Sequence, residues 1–235
     1  MTTKSLGYAI ELENKDSLLL NGVAPELLLS QFKDNFPAFN AFSNPTDIID
    51  IADQGNVGSC QGQSLAKCFQ ICYFLATGNI IEFSAMAGYI LAQQYDGIRG
   101  DRGSTLSGGQ KVATEHGMCR ERAWPYTGEY DRRGKAKEFP FRLKSAQPTN
   151  DPAQIRSALA LGLPIQTGVA WTRELEQEIV TGYTGKSSLG GHSTTLWCGK
   201  NINSWGNHPG NTFVIYAPDA MSMPAVESPV PTYES

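Results

Sequence analysis

The chain changes its period of hydrophobic repetition near Pro164, and that switch limits the folds open to it. In SCQGQSLAKCFQICYFLATG, residues 59–78, Leu65, Cys68 or Phe69, Cys72 and Leu75 or Ala76 recur at helical spacing, and Gly78 is the stop. This predicts a buried helix that begins at a cysteine. Ser84 is a good N-cap for a second helix running through Gln94 and closed by Asp96 and Gly97. A third helix is predicted from about Leu106 to His116, ending at Gly117. Asn150 or Asp151 caps a fourth, with Pro152 in its first turn and Gly162 just past its end. From PIQTGVA to Ala217 the pattern becomes strand-like, broken every few residues by Gly, Asn or Ser, as in a small antiparallel barrel or curled sheet. Helices first and strands second predict an α+β chain of two segregated lobes, and 235 residues suffice to bury a core in it.

Residues 1–46 read as an arm that stays with the mature protein, and DIIDIA, 47–52, as a first strand. The main domain is expected over 47–220, with a helical lobe at about 53–125 and a β lobe at about 126–220. Residues 221–235 contain MSMPAVESPVPTYES, a Pro-rich tail that would be ordered by the body or by a protein partner. The start lacks an apolar leader, and SLLLNGVAPELLL is interrupted by Asn21, Gly22, Pro25 and Glu26, so neither a secretion signal nor a membrane span is expected. Net charge is −4, which disfavours nucleic acid and anionic membrane as partners. In EYDRRGKAKEF the basic residues alternate with Glu129, Asp131 and Glu138, as in a solvated loop. The five cysteines are odd in number and form no pair of CxxC blocks, so no metal site is expected. Reduced thiols in a cytoplasm fit that count. TGKSS, 184–188, looks like the end of a phosphate loop, but the first glycine of that motif would fall at Val180.

Cys60 stands where a nucleophile would be placed. A reactive cysteine draws its thiolate character from a helix N-terminus and from a neighbouring imidazole, and Cys60 begins the first helix after a flexible Gly58-Ser59 turn. Gln54 lies close enough before it to donate, with the Cys60 N–H, to an oxyanion. Cys68 and Cys72 recur on the apolar stripe and read as core residues. Of the three histidines, His116 sits near a helix end and His208 in a Gly/Pro-rich loop; only His192 is followed by NSWG, which supplies Asn203 as an orienting partner and Trp205 as a shield.

These segments resemble the papain and cathepsin family of cysteine peptidases. DQGNVGSC, 53–60, resembles the stretch that carries that family's glutamine and nucleophile; GGH, 190–192, and NSWG, 203–206, resemble its histidine and asparagine motifs in the same order. In that family the His and Asn follow the Cys by about 130–150 residues, and His192 and Asn203 fall in that window. The resemblance covers about 47–217 and is strongest to bacterial and phage members. It implies a helical left lobe, an antiparallel barrel-like right lobe and a cleft between them. Catalytic Cys60, His192, Asn203 and Gln54 are implied, with substrate contacts at Gly108, Gly109, Gly191 and Trp205, a peptide or protein substrate and no cofactor.

The chain departs from the pattern in several places. Val57 and a position near Leu106 stand where secreted members have a disulfide, Gln61 replaces a tryptophan, and Ser193 replaces a common alanine. The stretch from His192 to Asn203 is also several residues short, which leaves the hairpin register between them open. Endopeptidase activity is the expectation; a transpeptidase, amidase or isopeptidase on the same site, or a non-catalytic structural or interaction protein of this fold, are the alternatives.

Overall fold

The computed structural model describes residues 49–134, 136–143, 145–149, 162–176, 179–180, 189–197, 200–206, 212–215 and 226–230, with positions 155, 158 and 159. The arm read at 1–46 and Cys198 lie outside the described residues.

Helix α1, Cys60–Thr77, starts at the predicted cysteine and ends on Gly78, and α2, Ala85–Asp96, starts after Ser84, whose side chain accepts the Ala87 N–H, and ends on Gly97. Helix α1 is buried on opposite sides. Leu65, Ala66 and Phe69 pack into a core with Phe83, Met86, Met118 and Trp124, while Ile71 packs with Ile49, Trp197 and Ile202 beneath the sheet. The crossing of α1 and α2 is tight at Gly62, where a Cβ would lie 2.3 Å from the Ala85 carbonyl oxygen. Helix α3, Leu106–Lys111, widens into a π-turn over Val112–His116 and stops at Gly117, so the third predicted helix is present with a changed last turn. Of the fourth, only 155, 158 and 159 are described, and these are helical.

Among the described residues seven strands follow: β1 Ser145–Thr149, β2 Ile165–Trp171, β3 Ile179–Val180, β4 Gly190–Trp197, β5 Lys200–Ile202, β6 Thr212–Ile215 and β7 Val226–Val230. Their order is β1-β7-β2-β4-β5-β6-β3, antiparallel throughout except for the β3–β6 pair. Two sequence readings change here. Residues 49–52 form no strand; pairing begins with a single bridge from Asp53 to Trp205. The Pro-rich tail is not all appendage, because Val226–Val230 lies between β1 and β2. The prolines of these two strands are tolerated because Pro148 of β1 is on the edge strand and Pro229 of β7 lies beyond the two-residue overlap with β2.

Helix α1 meets the sheet mainly at β4, through hydroxyls rather than methyls. Ser64 Oγ donates to the Gln61 carbonyl at 2.9 Å, so its 2.7 Å contact with Ser193 must have Ser193 as the donor. Gln166 Nε2 donates to Ser64 Oγ and to the Gln61 carbonyl, both at 2.8 Å, and Thr195 Oγ1 donates to the Ser64 carbonyl at 3.0 Å. These bonds fix the start of α1 against the strand that carries His192.

Candidate active site

Cys60 is the first residue of α1, and His192 lies in β4 opposite Val169 of β2. The Ser64–Ser193 bond brings the two together, since Ser64 is one helical turn beyond Cys60 and Ser193 is next to His192. His192 Nε2 is 2.7 Å from Asn203 Oδ1, and that same oxygen accepts the Ser204 N–H at 2.7 Å. A backbone N–H can only donate, so the amide oxygen is correctly assigned, and an oxygen that only accepts requires the histidine proton on Nε2. Nδ1 is then the basic nitrogen. It is buried and has no hydrogen-bond partner among the described residues.

The short hairpin works by parity. Trp197 pairs with Lys200 and Thr195 with Ile202, which leaves two residues between β4 and β5 and sets the connection slightly later than the midpoint of His192 and Asn203. Continued past Ile202, this register sets Asn203 opposite Thr194, two residues from His192 and on the same face of the sheet. The asparagine thus reaches the imidazole diagonally, with no bulge.

Two indoles enclose the ring. The centroids of Trp171 and Trp205 lie 5.0 and 4.7 Å from that of His192. Burial in this box pushes the imidazole pKa down from its ordinary 6.5 to about 4, with the Asn203 bond pulling the other way. Trp205 has the shielding position read from NSWG; Trp171 was missed because one tryptophan at a strand end carries no signal of its partner.

Gln54 is held at both ends of its amide. Ser204 Oγ donates to Oε1 at 2.6 Å, and Nε2 donates to the Val57 carbonyl at 2.9 Å, in the turn that leads to Cys60. Its backbone N–H donates to the Ser204 carbonyl at 2.7 Å, so the glutamine and NSWG segments are locked together. Ser204 was not singled out from the sequence, although it sits inside the motif.

Gly108 and Gly109 need correcting. Both lie inside α3, where the Gly108 N–H donates to Thr105 Oγ1 at 2.9 Å and the Gly109 N–H to the Thr105 carbonyl at 3.1 Å. Amides spent on their own helix cannot pair with an added substrate strand. Thr105 was the available signal, as an N-cap that sets Gly108 at the third helical position. Ser104 instead forms a β-bridge through its backbone, and its hydroxyl donates to Gln61 Oε1 at 2.8 Å. Gly191 lies in β4 opposite Ala170, directly before His192.

Cys60, Cys68, Cys72 and Cys119 are unbridged and buried. Burial raises the Cys68 thiol well above its ordinary range and the Cys119 thiol to about 11, which makes both poor nucleophiles at neutral pH. Among the described residues no group of three or more His, Cys, Asp and Glu is placed to hold a metal ion.

No family model matches the chain, and no curated protein does. Solved structures do. Xylellain, a cysteine protease from Xylella fastidiosa, superposes with a TM-score of 0.72 at 19% identity over 98% of this chain and 97% of that one. Digestive procathepsin L 3 of Tenebrio molitor gives 0.64 at 16% identity over 88% and 79%. The Carica candamarcensis cysteine protease CMS1MS2, solved with E-64, gives 0.62 at 16% over 85% and 99%. With its helical region, its antiparallel sheet and Cys60 opening the central helix, the chain has the papain-like cysteine protease fold.

Proposed function

We propose that the chain is a cysteine endopeptidase that cleaves peptide bonds through a Cys60 thioester. The observation that carries this reading is the Asn203–His192 bond, because a proton fixed on Nε2 leaves Nδ1 as a base for a thiol. In the proposed first step the Cys60 proton passes to Nδ1 and the sulfur attacks the carbonyl carbon. The π pair moves to oxygen, which the Cys60 N–H and Gln54 amide stabilise. The pair returns as the C–N bond breaks, and the imidazolium protonates the departing amine. Water, losing a proton to Nδ1, then adds to the thioester; collapse releases the acid and the thiol. An extended substrate would bind by adding its backbone as a strand.

A mixed peptide library incubated with the wild type and with Cys60→Ala, read by mass spectrometry, tests the proposal. Internal cleavages with the wild type and none with the variant are expected. Ligated or deamidated peptides would show acyl transfer to another acceptor or an amidase instead, and an unchanged library would favour a non-catalytic protein.

A further inference from the structure

The turn between Gln54 and Cys60 is clamped by residues outside the catalytic set. Tyr126 donates its hydroxyl proton to the Gln54 carbonyl at 2.8 Å. A phenol has one proton, so its 2.6 Å contact with Ser59 Oγ must have the serine as donor. This use of Ser59 explains an anomaly: it occupies the N-cap of α1 yet its side chain makes no bond to the first turn. From the other side Asp101 Oδ1 accepts the Gly58 N–H at 2.8 Å and the Tyr89 hydroxyl at 2.8 Å. Gln93 Nε2 anchors the Asp101 loop by donating to the Gly100 and Gly103 carbonyls, each at 2.8 Å. Val57 and Leu106 form no disulfide here, and the Asp101–Gly58 bond ties the same two regions by polar contact.

We infer that Tyr126 is a positioning residue for the proposed acyl-transfer chemistry. It sets the separation of Gln54 from the start of α1, and Asp101 holds the middle of the turn. The inference rests on the function proposed above. One phenol oxygen joins both ends of the turn; removing it leaves the Gln54 backbone anchored through Ser204 and Val57 but cuts its tie to Ser59, which loosens its position relative to Cys60. The Gln54 amide is aimed from that backbone, and a donor displaced by a fraction of an ångström loses much of its hold on a developing oxyanion.

Tyr126→Phe, Asp101→Ala and Asp101→Asn test this with three readouts. Iodoacetamide alkylation of Cys60 needs a thiolate but no oxyanion donor. Binding of an acetylated dipeptide aldehyde needs the donor: the sulfur adds to the carbonyl carbon, and the oxygen takes up the π pair and the thiol proton. The third readout is kcat and KM on a peptide cleaved by the wild type. For Tyr126→Phe the aldehyde affinity and kcat should both fall by about 10-fold or more, with KM nearly constant and alkylation unchanged. Asp101→Ala should behave alike, whereas Asp101→Asn keeps an acceptor and should retain wild-type behaviour. Should Tyr126→Phe fail to fold, Ser59→Ala removes the other half of the contact and decides. Wild-type kcat and aldehyde affinity in the phenylalanine variant would overturn the inference, as would an equal loss of alkylation, which marks general loosening. A wild type that alkylates at Cys60 but neither binds the aldehyde nor cleaves peptides would overturn the acyl-transfer reading, and this inference with it.

Discussion

Gln61 and Ser193 depart from the resembled pattern on either side of the lobe contact, and Ser64 joins them: it donates to the Gln61 carbonyl and accepts from Ser193. His192 makes the sharpest prediction at this scale. Its imidazole is held down to about 4 by burial, whereas in the unfolded chain it titrates near 6.5. Between those values the unfolded chain binds a proton that the folded chain does not, so acid favours unfolding. The stabilisation is complete above about pH 6.5 and is lost as pH falls toward about 4, amounting to about 3 kcal/mol. Urea unfolding across that window should show the wild type losing this much more than His192→Gln. Equal slopes would contradict the buried neutral imidazole, and a shallower wild-type slope would mean that a Cys60 thiolate keeps the ring charged. Cys60, His192 and Asn203 each sit in a local motif; Ser204 lies inside one of them but its partner Gln54 is 150 residues away, and Trp171 stands outside any motif.

Helix boundaries were legible where their causes are local. Ser84, Gly78 and Gly97 each cap within a few residues of their own position, and all three end or begin helices as read. The double glycine misled because two adjacent glycines do not reveal whether their amides are already bonded; Thr105 decides that. Strand β7 was illegible because its pairing with β1 and β2 is long-range and its prolines resemble a linker. The crossing at Gly62 carries the prediction for elements. An alanine there would bring its Cβ to 2.3 Å from the Ala85 carbonyl and 2.7 Å from Tyr89, mostly against backbone that cannot rotate away. Gly62→Ala should cost about 2 kcal/mol by forcing α1 and α2 apart, measurable as a lower denaturation midpoint. An unchanged midpoint would show that the helices slide without strain.

At the scale of the molecule, the switch from helical to strand period did predict the segregation of helices from sheet, because it follows from which residues can bury a face. How helix and sheet meet was not readable, since hydroxyls of Ser64, Ser193 and Thr195 carry no periodic signal. The proposed nucleophile and base lie at that meeting, and Cys60, His192 and Gln54 each have 0% exposed surface, so reagents and substrates require the site to open. Opening sets the absolute rate of modification, while thiolate character sets which cysteine reacts first. Brief iodoacetamide labelling of the native chain near neutral pH, followed by peptide mapping, is therefore the most direct test of Cys60 as nucleophile. Cys60 should be modified ahead of Cys68, Cys72, Cys119 and Cys198, and its lead should shrink in His192→Gln. Labelling of Cys68 or Cys119 first, or a Cys60 rate indifferent to His192, would contradict a cysteine–histidine site.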